Sequence, residues 1–170
     1  PPGVLWSRFS ASSHTRGHGL SKEHTRAVLA WAEGAGRRVV NGRAVLELEV
    51  SKVLQLSALR AAGIDVPRTR VVVGTEHLLA AAQGFPTPFV TKHNQGGKGL
   101  GVQRFDSHDE FDASVDGLEF ESSPDGITLL QEHLFAAAPF VTRVEFAGGE
   151  FVYAVRVDTN AGRLALCPVE

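Results

Sequence analysis

Two lysines and a run of glycines lie close together between Pro88 and Val102, in the stretch PFVTKHNQGGKGLGV. Glycine has no Cβ, so its backbone N–H groups can approach an anion closely, and successive amides in a turn form an anion-binding concavity. Lys92 precedes the glycines and Lys98 lies among them. These residues at this spacing are typical of a loop that covers phosphate groups, although a mobile hairpin tip with solvated lysines has the same composition.

The spacing of the glycines excludes two common phosphate-binding motifs. A Walker A loop has Ser or Thr after its lysine, whereas Gly99 follows Lys98. A dinucleotide fingerprint has three glycines and opens a helix. Counted from Gly97 or Gly99, its third glycine is replaced by Val102 or Arg104, and the alternating GVQRF predicts a strand. The pattern therefore predicts two strands joined by a glycine loop.

Two long helices are predicted before this loop. The first runs from an N-cap at Ser21 to about Glu33, and the second from about Ala44 to Ala62. Apolar residues at helical spacing are expected to face inward: Val28, Trp31 and Ala32 in the first helix, and Leu46, Val50, Val53 and Leu54 in the second. Lys52 lies off the second stripe, where an exposed lysine is the ordinary explanation.

The remaining predicted elements are short. Strands are predicted at 37–41, at 68–73 and from 127, a short helix from Thr75 to Gln83, and another that begins with a capping box formed by Ser107 and Glu110. The acidic loop 116–126 is expected to be solvated. The segments FVTRVEFA and EFVYAVRV are predicted to form a terminal hairpin with Arg143, Glu145 and Arg156 on its outward side.

Composition limits the classes of protein that need to be considered. The 170-residue chain is 43% apolar with a net charge of −2, and it has neither a signal-peptide pattern nor an apolar run that could span a membrane. This charge predicts no nucleic-acid partner, and a single cysteine, Cys167, suits the reducing cytoplasm. The chain contains no methionine, which indicates a fragment of a longer protein or a trimmed chain. Self-association stays open.

A histidine pair near the start of the chain raises the question of a metal site. His14 and His18 are four residues apart, but Gly17 and Gly19 disfavour a helix that would align them. No metal ligands are therefore predicted in this chain. A solvated loop, or a loop that lines a substrate cleft together with Arg16, is favoured instead.

The order of these motifs resembles the ATP-grasp superfamily, and specifically its glutamate-ligase-like branch, which includes the ribosomal-protein glutamate ligases. Lys52 lies on a helix that ends in AAGIDVPRT, the glycine stretch follows about forty positions later, LLQEHL about forty after that, and the hairpin then carries Arg143 and Arg156. The resemblance covers the chain from about Arg37 onward. SASSHTRGHG and GRRVVNG are also similar to bacterial ATP-grasp proteins of unassigned substrate.

The resemblance implies a role for each matching position. Lys52 and Lys92 would contact the ATP phosphates. Five residues would close over them: Gly96, Gly97, Lys98, Gly99 and Gly101. The adenine edge would meet a hinge of Gln131, Glu132, His133 and Leu134, with Glu132 as the polar anchor. Arg143 and Arg156 would face the transferred phosphoryl group or the acyl-phosphate, which suits a reaction governed by positioning and charge neutralisation.

The resemblance also implies an α+β ATP-grasp fold and a reaction. Residues 1–66 would end a preceding α/β domain, 67–132 would form the lid subdomain, and 133–170 would begin the C-terminal catalytic subdomain. The parent protein would convert a carboxylate with ATP into an acyl-phosphate, which an amine then attacks to give an amide-type bond. Val141 stands where many relatives have an acidic residue for the ribose, and Mg²⁺ ligands are expected beyond residue 170.

Two other classes of function stay open from the sequence. The chain could be a nucleotide-binding module that regulates without ligating, or a protein-interaction domain that keeps the fold and does not bind ATP. The sequence does not identify the carboxylate or the amine.

Overall fold

The computed structural model describes residues 3–97, 99, 101–117 and 120–159, which contain three separate sheets. The predicted site residue Lys98 lies outside this part of the chain, as do 160–170 with Cys167. The strands are β1 (Val4–Trp6), β2 (Arg38–Val40), β3 (Thr69–Val73), β4 (Phe89–His93), β5 (Gln103–Phe105), β6 (Ile127–Glu132), β7 (Phe140–Ala147) and β8 (Glu150–Asp158). The α-helices are α1 (Ser21–Gly34), α2 (Arg43–Val50), α3 (Lys52–Ala61), α4 (Leu78–Ala82) and α5 (His108–Asp116).

The first sheet consists of β1 and β2, which pair in parallel with Trp6 opposite Val40. Helices α1 and α2 pack together through a small core of Leu29, Leu46 and Val50. The prediction that Trp31 faces inward is wrong, because 63% of it is exposed. The buried stripe of α1 is set by its contact with α2 and contains Leu29 together with Ala32, which was correctly predicted to face inward.

The predicted helix from Ala44 to Ala62 is interrupted at Ser51. This residue is extended, with φ −140° and ψ 110°, and it separates α2 from α3. Its side chain accepts a hydrogen bond from the Leu54 amide and so caps α3. Lys52 therefore begins a helix, whereas the sequence predicted it in the middle of one.

The central sheet has four antiparallel strands in the order β3-β6-β4-β5. The predicted hairpin with a glycine loop is confirmed, since β4 and β5 pair on either side of it. One face of the sheet packs on α4 and α5 through an aromatic and aliphatic core: Val72, Leu78, Ala82, Phe85, Phe89, Phe105, Phe111 and Leu130. The opposite face carries Thr69, Lys92 and Gln131, because side chains alternate along each strand.

Of the short helices that flank this core, α5 begins as the sequence predicts, whereas α4 begins at Leu78, three residues after the predicted start at Thr75. A single 3-10 turn at Thr75–His77 leads into α4. The Ser107 side chain caps α5 by accepting from the Glu110 amide at 3.2 Å. The Glu110 carboxylate in turn accepts from the Asp106 amide at 2.9 Å, which anchors the turn before the helix.

Strands β7 and β8 form the predicted terminal hairpin, but its two arginines do not share a face. Arg156 lies opposite Thr142, whereas Arg143 lies opposite Val155, so their side chains leave opposite faces. A register shift between Glu145 and Phe146 is the cause, because one extra residue on β8 reverses the facing of every side chain beyond it. The prediction of one outward set is therefore wrong.

Both faces of this hairpin expose large apolar side chains: Val144, Phe146, Phe151, Val152, Tyr153 and Val155. Within the described residues, no helix has the length and apolarity needed to cross a membrane. The division of the chain at 66 and 132 stays a prediction.

Candidate functional site

Two lysine ammonium groups lie beside the start of the glycine loop. Lys92 on β4 donates from Nζ to the side-chain oxygen of Gln131 at 2.6 Å. Lys52, the first residue of α3, donates from Nζ to the backbone oxygen of Gly96 at 2.7 Å. Both lysines are half-buried, and in the described part of the chain neither forms an ion pair with a carboxylate.

The charge of Lys92 also affects Lys52 electrostatically. Burial lowers the pKa of Lys52, and the positive charge of Lys92 lowers it further, while Asp125 and Glu49 oppose these effects. Burial alone lowers the pKa of Lys92. Since burial and a like charge both disfavour the protonated form, an anion placed between the two ammonium groups would stabilise them.

A chain of hydrogen bonds orients the partner of Lys92. Gln131 is buried, and its Nε2 donates to Thr69 Oγ1 at 3.0 Å. The Thr69 hydroxyl donates onward to the backbone oxygen of Pro67 at 2.9 Å. Because the amide nitrogen of Gln131 donates to Thr69, its amide oxygen faces Lys92. The side chain of Gln131, a predicted hinge residue, therefore accepts a hydrogen bond from Lys92.

The glycine loop packs against the N-terminal part of the chain. A Cβ added at Gly97 would lie 3.9 Å from the Cβ of Ser12. The side chain of Lys22 donates to the side-chain oxygen of Gln95 at 2.8 Å. At the other end of the loop, Gly101 has φ +64° and its backbone lies against the ring of His93. Both ends of the loop are therefore fixed.

The predicted hinge contains one backbone donor without a partner. The amide of Glu132 donates to the Arg68 oxygen at 2.9 Å, and that of His133 to the Pro88 oxygen at 3.2 Å. The Glu132 carboxylate accepts from the Arg68 amide at 2.7 Å. Within the described residues the Leu134 amide makes no hydrogen bond, and Leu134 is 64% exposed. The Leu134 amide is thus available to donate a hydrogen bond to a polar ligand.

A second polar atom near the hinge also lacks a partner. His133 Nδ1 is the one buried side-chain nitrogen or oxygen that forms no hydrogen bond among the residues described. Its ring packs edge-on against Phe135 at a centroid distance of 4.7 Å. A buried polar atom without a partner costs stability.

The hairpin arginines already contact other side chains. Arg143 Nε donates to Glu145 Oε1 at 2.8 Å, and the Arg156 guanidinium lies 4.3 Å from the ring centre of Phe140. With the two side chains on opposite faces, the structure does not bring them together. The phosphoryl role of each stays a prediction.

The described residues do not form a metal site. In that part of the chain, no three His, Cys, Asp or Glu side chains are grouped so that they could hold a metal ion. His14 lies in a 3-10 turn (Ser13–Arg16), where its Nδ1 is 3.1 Å from the Ala11 oxygen. The residues present therefore do not fit Mg²⁺ binding on their own.

Sequence reasoning missed two residues that support the site. Asn94 follows β4 and is buried, and Asp125, which was predicted to be solvated with the rest of loop 116–126, is half-buried and accepts three hydrogen bonds. The prediction for Asp125 is wrong because the loop folds back onto the end of β4. An asparagine directly after a strand was the available signal, since its short side chain can bond nearby backbone groups.

The backbone as a whole is similar to solved ATP-grasp structures, and it has the α+β ATP-grasp fold that the sequence predicts. A RimK-domain ATP-grasp protein from Sphaerobacter thermophilus matches with a TM-score of 0.65 and 24% identity, over 92% of this chain and 55% of its own. A D-alanine–D-alanine ligase from Helicobacter pylori matches with a TM-score of 0.59 and 17% identity, over 82% and 42%.

A third similar structure is the ATP-grasp ligase PsnB in complex with its precursor peptide and AMPPNP. It matches with a TM-score of 0.52 and 20% identity, over 91% of this chain and 51% of its own. The chain thus spans about half the length of these proteins. No protein-family model matches it, and no curated protein is significantly similar in sequence.

Proposed function

We propose that this chain binds ATP, with the triphosphate held between Lys52 and Lys92 and beneath the glycine loop. The observation that carries the proposal is the pair of half-buried ammonium groups, which have no carboxylate partner among the described residues. A triphosphate would supply the missing negative charge and replace the neutral oxygens that the lysines now contact.

The remaining predicted site residues would surround this triphosphate. Glycines 96, 97, 99 and 101, together with Lys98, would cover the phosphates. The adenine edge would lie along Gln131–Leu134, where the Leu134 amide is the available donor and Glu132 supports the strand end. Either Arg143 or Arg156 would face the transferred phosphoryl group, but not both, because their side chains leave opposite faces of the hairpin.

In the parent protein we infer a carboxylate–amine ligase. A carboxylate oxygen would attack the γ-phosphorus, which forms an acyl-phosphate and releases ADP. An amine would then attack the acyl carbon, release phosphate and leave an amide-type bond. Lysines suit the first step because phosphoryl transfer depends on positioning and charge neutralisation. The names of two similar structures, a D-alanine–D-alanine ligase and an ATP-grasp ligase in complex with a precursor peptide, support this class.

Magnesium and the location in the cell stay predictions. Since the described residues supply no metal-ligand group, no step here is assigned to Mg²⁺. The expectation of ligands beyond residue 170 is unchanged. A cytoplasmic location, which the single cysteine favours, suits an enzyme that consumes ATP.

Replacing Lys92 tests the nucleotide site. In the full-length protein, Lys92→Ala is expected to weaken ATP binding by roughly 1.5–3 kcal/mol, the range for a lost charge-assisted hydrogen bond. Isothermal titration calorimetry with ATP measures this. Arg60→Ala is the matched control, because Arg60 is an exposed cation in the last turn of α3, away from Lys52. Equal ATP affinity in Lys92→Ala and Arg60→Ala would contradict the proposal.

A thermal shift distinguishes this function from a protein-interaction domain of the same fold. A protein that binds ATP is stabilised by RT ln(1 + [L]/Kd), about 2.7 kcal/mol at one hundred times Kd. Millimolar ATP should therefore raise the melting temperature of the wild type. No shift would favour the interaction domain, whereas a shift without ligation would favour the regulatory module.

A further inference from the structure

Asn94 joins the glycine loop to the helix that carries Lys52. Its side-chain Oδ1 accepts hydrogen bonds from Ser51 Oγ at 3.1 Å and from the Val53 amide at 3.0 Å. Its backbone oxygen accepts from the Lys52 amide at 3.2 Å. One buried residue therefore holds three consecutive residues at the start of α3.

The other side of Asn94 is fixed to the central sheet. Its Nδ2 donates to Asp125 Oδ2 at 2.6 Å, and its amide donates to the Ile127 oxygen at 3.0 Å. Asp125 is held in turn, because its Oδ1 accepts from Ser123 Oγ at 2.6 Å and from the Ile127 amide at 3.2 Å. Asn94 thus has a rigid support on β6 while it contacts α3.

This arrangement decides how α3 can act on an anion. The first amides of a helix often bind anions themselves, but those of Lys52 and Val53 already donate to Asn94, and that of Leu54 donates to Ser51. The Lys52 side chain is therefore the cationic group available at the start of α3. Its backbone and its Nζ both bond the loop, at Asn94 and Gly96 respectively.

We propose that Asn94 is a positioning residue that couples the glycine loop to Lys52, so that the loop and the lysine reach the phosphates as one unit. The proposal rests on the proposed ATP site and adds the residue that positions Lys52 and the loop within it. Asn94 itself bonds no phosphate in this account. Its effect should therefore appear in the binding of phosphates and not in the binding of the nucleoside.

The test compares ATP with adenosine in the full-length protein. Asn94→Ala should weaken ATP binding by about tenfold, the effect of mispositioning one charged hydrogen bond, and change adenosine binding by less than about twofold. Ser107→Ala is the matched control, because it also removes a helix-capping bond, at α5, and should lower the melting temperature without changing either affinity. Parallel losses for ATP and adenosine, or an ATP affinity equal to that of Ser107→Ala, would overturn the proposal.

Hydrogen exchange tests the coupling where Asn94→Ala fails to fold. In the wild type, ATP should slow exchange at the amides of Lys52, Val53 and Asn94 together, and slowing at Asn94 alone would overturn the proposal.

If the wild type binds no nucleotide, the proposed function fails by itself. The coupling is then tested without ligand: Asn94→Ala should speed exchange at Lys52 and Val53, and unchanged exchange there would overturn it.

Discussion

The two lysine ammonium groups at the glycine loop carry positive charge that the folded protein compensates only in part. Lys92 contacts the neutral oxygen of Gln131, and Lys52 contacts the backbone oxygen of Gly96. Asp125 is near enough to Lys52 to raise its pKa, but burial and Lys92 lower it more. This imbalance is the residue-scale basis of the proposed anion site.

ATP affinity is expected to fall as the pH rises, starting below the range in which ordinary lysines titrate. Burial lowers the pKa of both Lys52 and Lys92, so each loses its charge at a lower pH than an exposed lysine would. The free energy of unfolding should rise over the same range, because the unfolded chain then binds more protons than the folded chain. Calorimetry above about pH 8, where the triphosphate is fully ionised, measures the affinity.

Lys92→Arg is the variant that checks this cause. A guanidinium stays charged throughout this range, so Lys52 is the one lysine of the pair that still titrates in the variant. Its ATP affinity should therefore fall over a narrower span of pH than that of the wild type. A wild-type affinity that stays constant until ordinary lysines titrate would contradict the assignment of the charge to these two residues.

Thr69→Val should weaken ATP binding without any change in charge. The substitution leaves the buried Gln131 nitrogen without its acceptor and frees the amide to rotate away from Lys92. We expect a loss of about 1–3 kcal/mol of stability for the unpaired group and about three- to tenfold in ATP affinity. Calorimetry and thermal melting measure the two effects.

The same substitution at Thr91 provides its control. Thr91 is buried on the opposite face of the sheet, and among the described residues its hydroxyl makes only a long 3.5 Å bond to the Gln103 oxygen. Thr91→Val should leave ATP affinity unchanged. If Thr69→Val also leaves it unchanged, then the chain from Thr69 to Lys92 has no part in binding.

At the scale of elements, the glycine hairpin depends on one close approach. Gly101 has φ +64°, and a Cβ there would lie 2.2 Å from Cδ2 of the His93 ring. That ring is itself fixed, because His93 Nε2 lies 2.8 Å from the Glu121 backbone oxygen. A side chain at Gly101 would therefore require the His93 ring or the returning strand to move.

Gly101→Ala should therefore destabilise the protein more than the same change at Gly84. Gly84 has nearly the same φ, +66°, but a Cβ there would meet nothing within 4 Å. The difference between the variants isolates the contact with His93, and we expect about 1–3 kcal/mol from the overpacking. Chemical denaturation measures both free energies. Equal losses would show that the loop end is not held by His93.

The start of α3 shows why the sequence predicted some elements only in part. Its apolar pattern continues from Leu46 to Leu54, which predicts one helix. The extended conformation of Ser51 is stabilised by Asn94, which is 43 positions away in the chain. Local periodicity contains no information about such a contact, so the break that makes Lys52 the first residue of α3 could not be predicted.

At the scale of the whole molecule, the order of the motifs predicted the fold because each motif fixes a local structure. The glycine stretch required a hairpin, and the short apolar runs of β4 and β6 contain Phe89 and Leu130, which lie in one core. The directions of Arg143 and Arg156 depended instead on one bulge in β8. A shift of a single residue leaves no clear mark on composition.

A structure of the protein with AMPPNP would show whether the triphosphate lies between Lys52 and Lys92. We predict that phosphate oxygens lie within hydrogen-bond distance of Nζ of both Lys52 and Lys92, that residues 96–101 cover them, and that the adenine edge meets the Leu134 amide. A nucleotide bound elsewhere, with both lysines still on the oxygens of Gly96 and Gln131, would contradict the account.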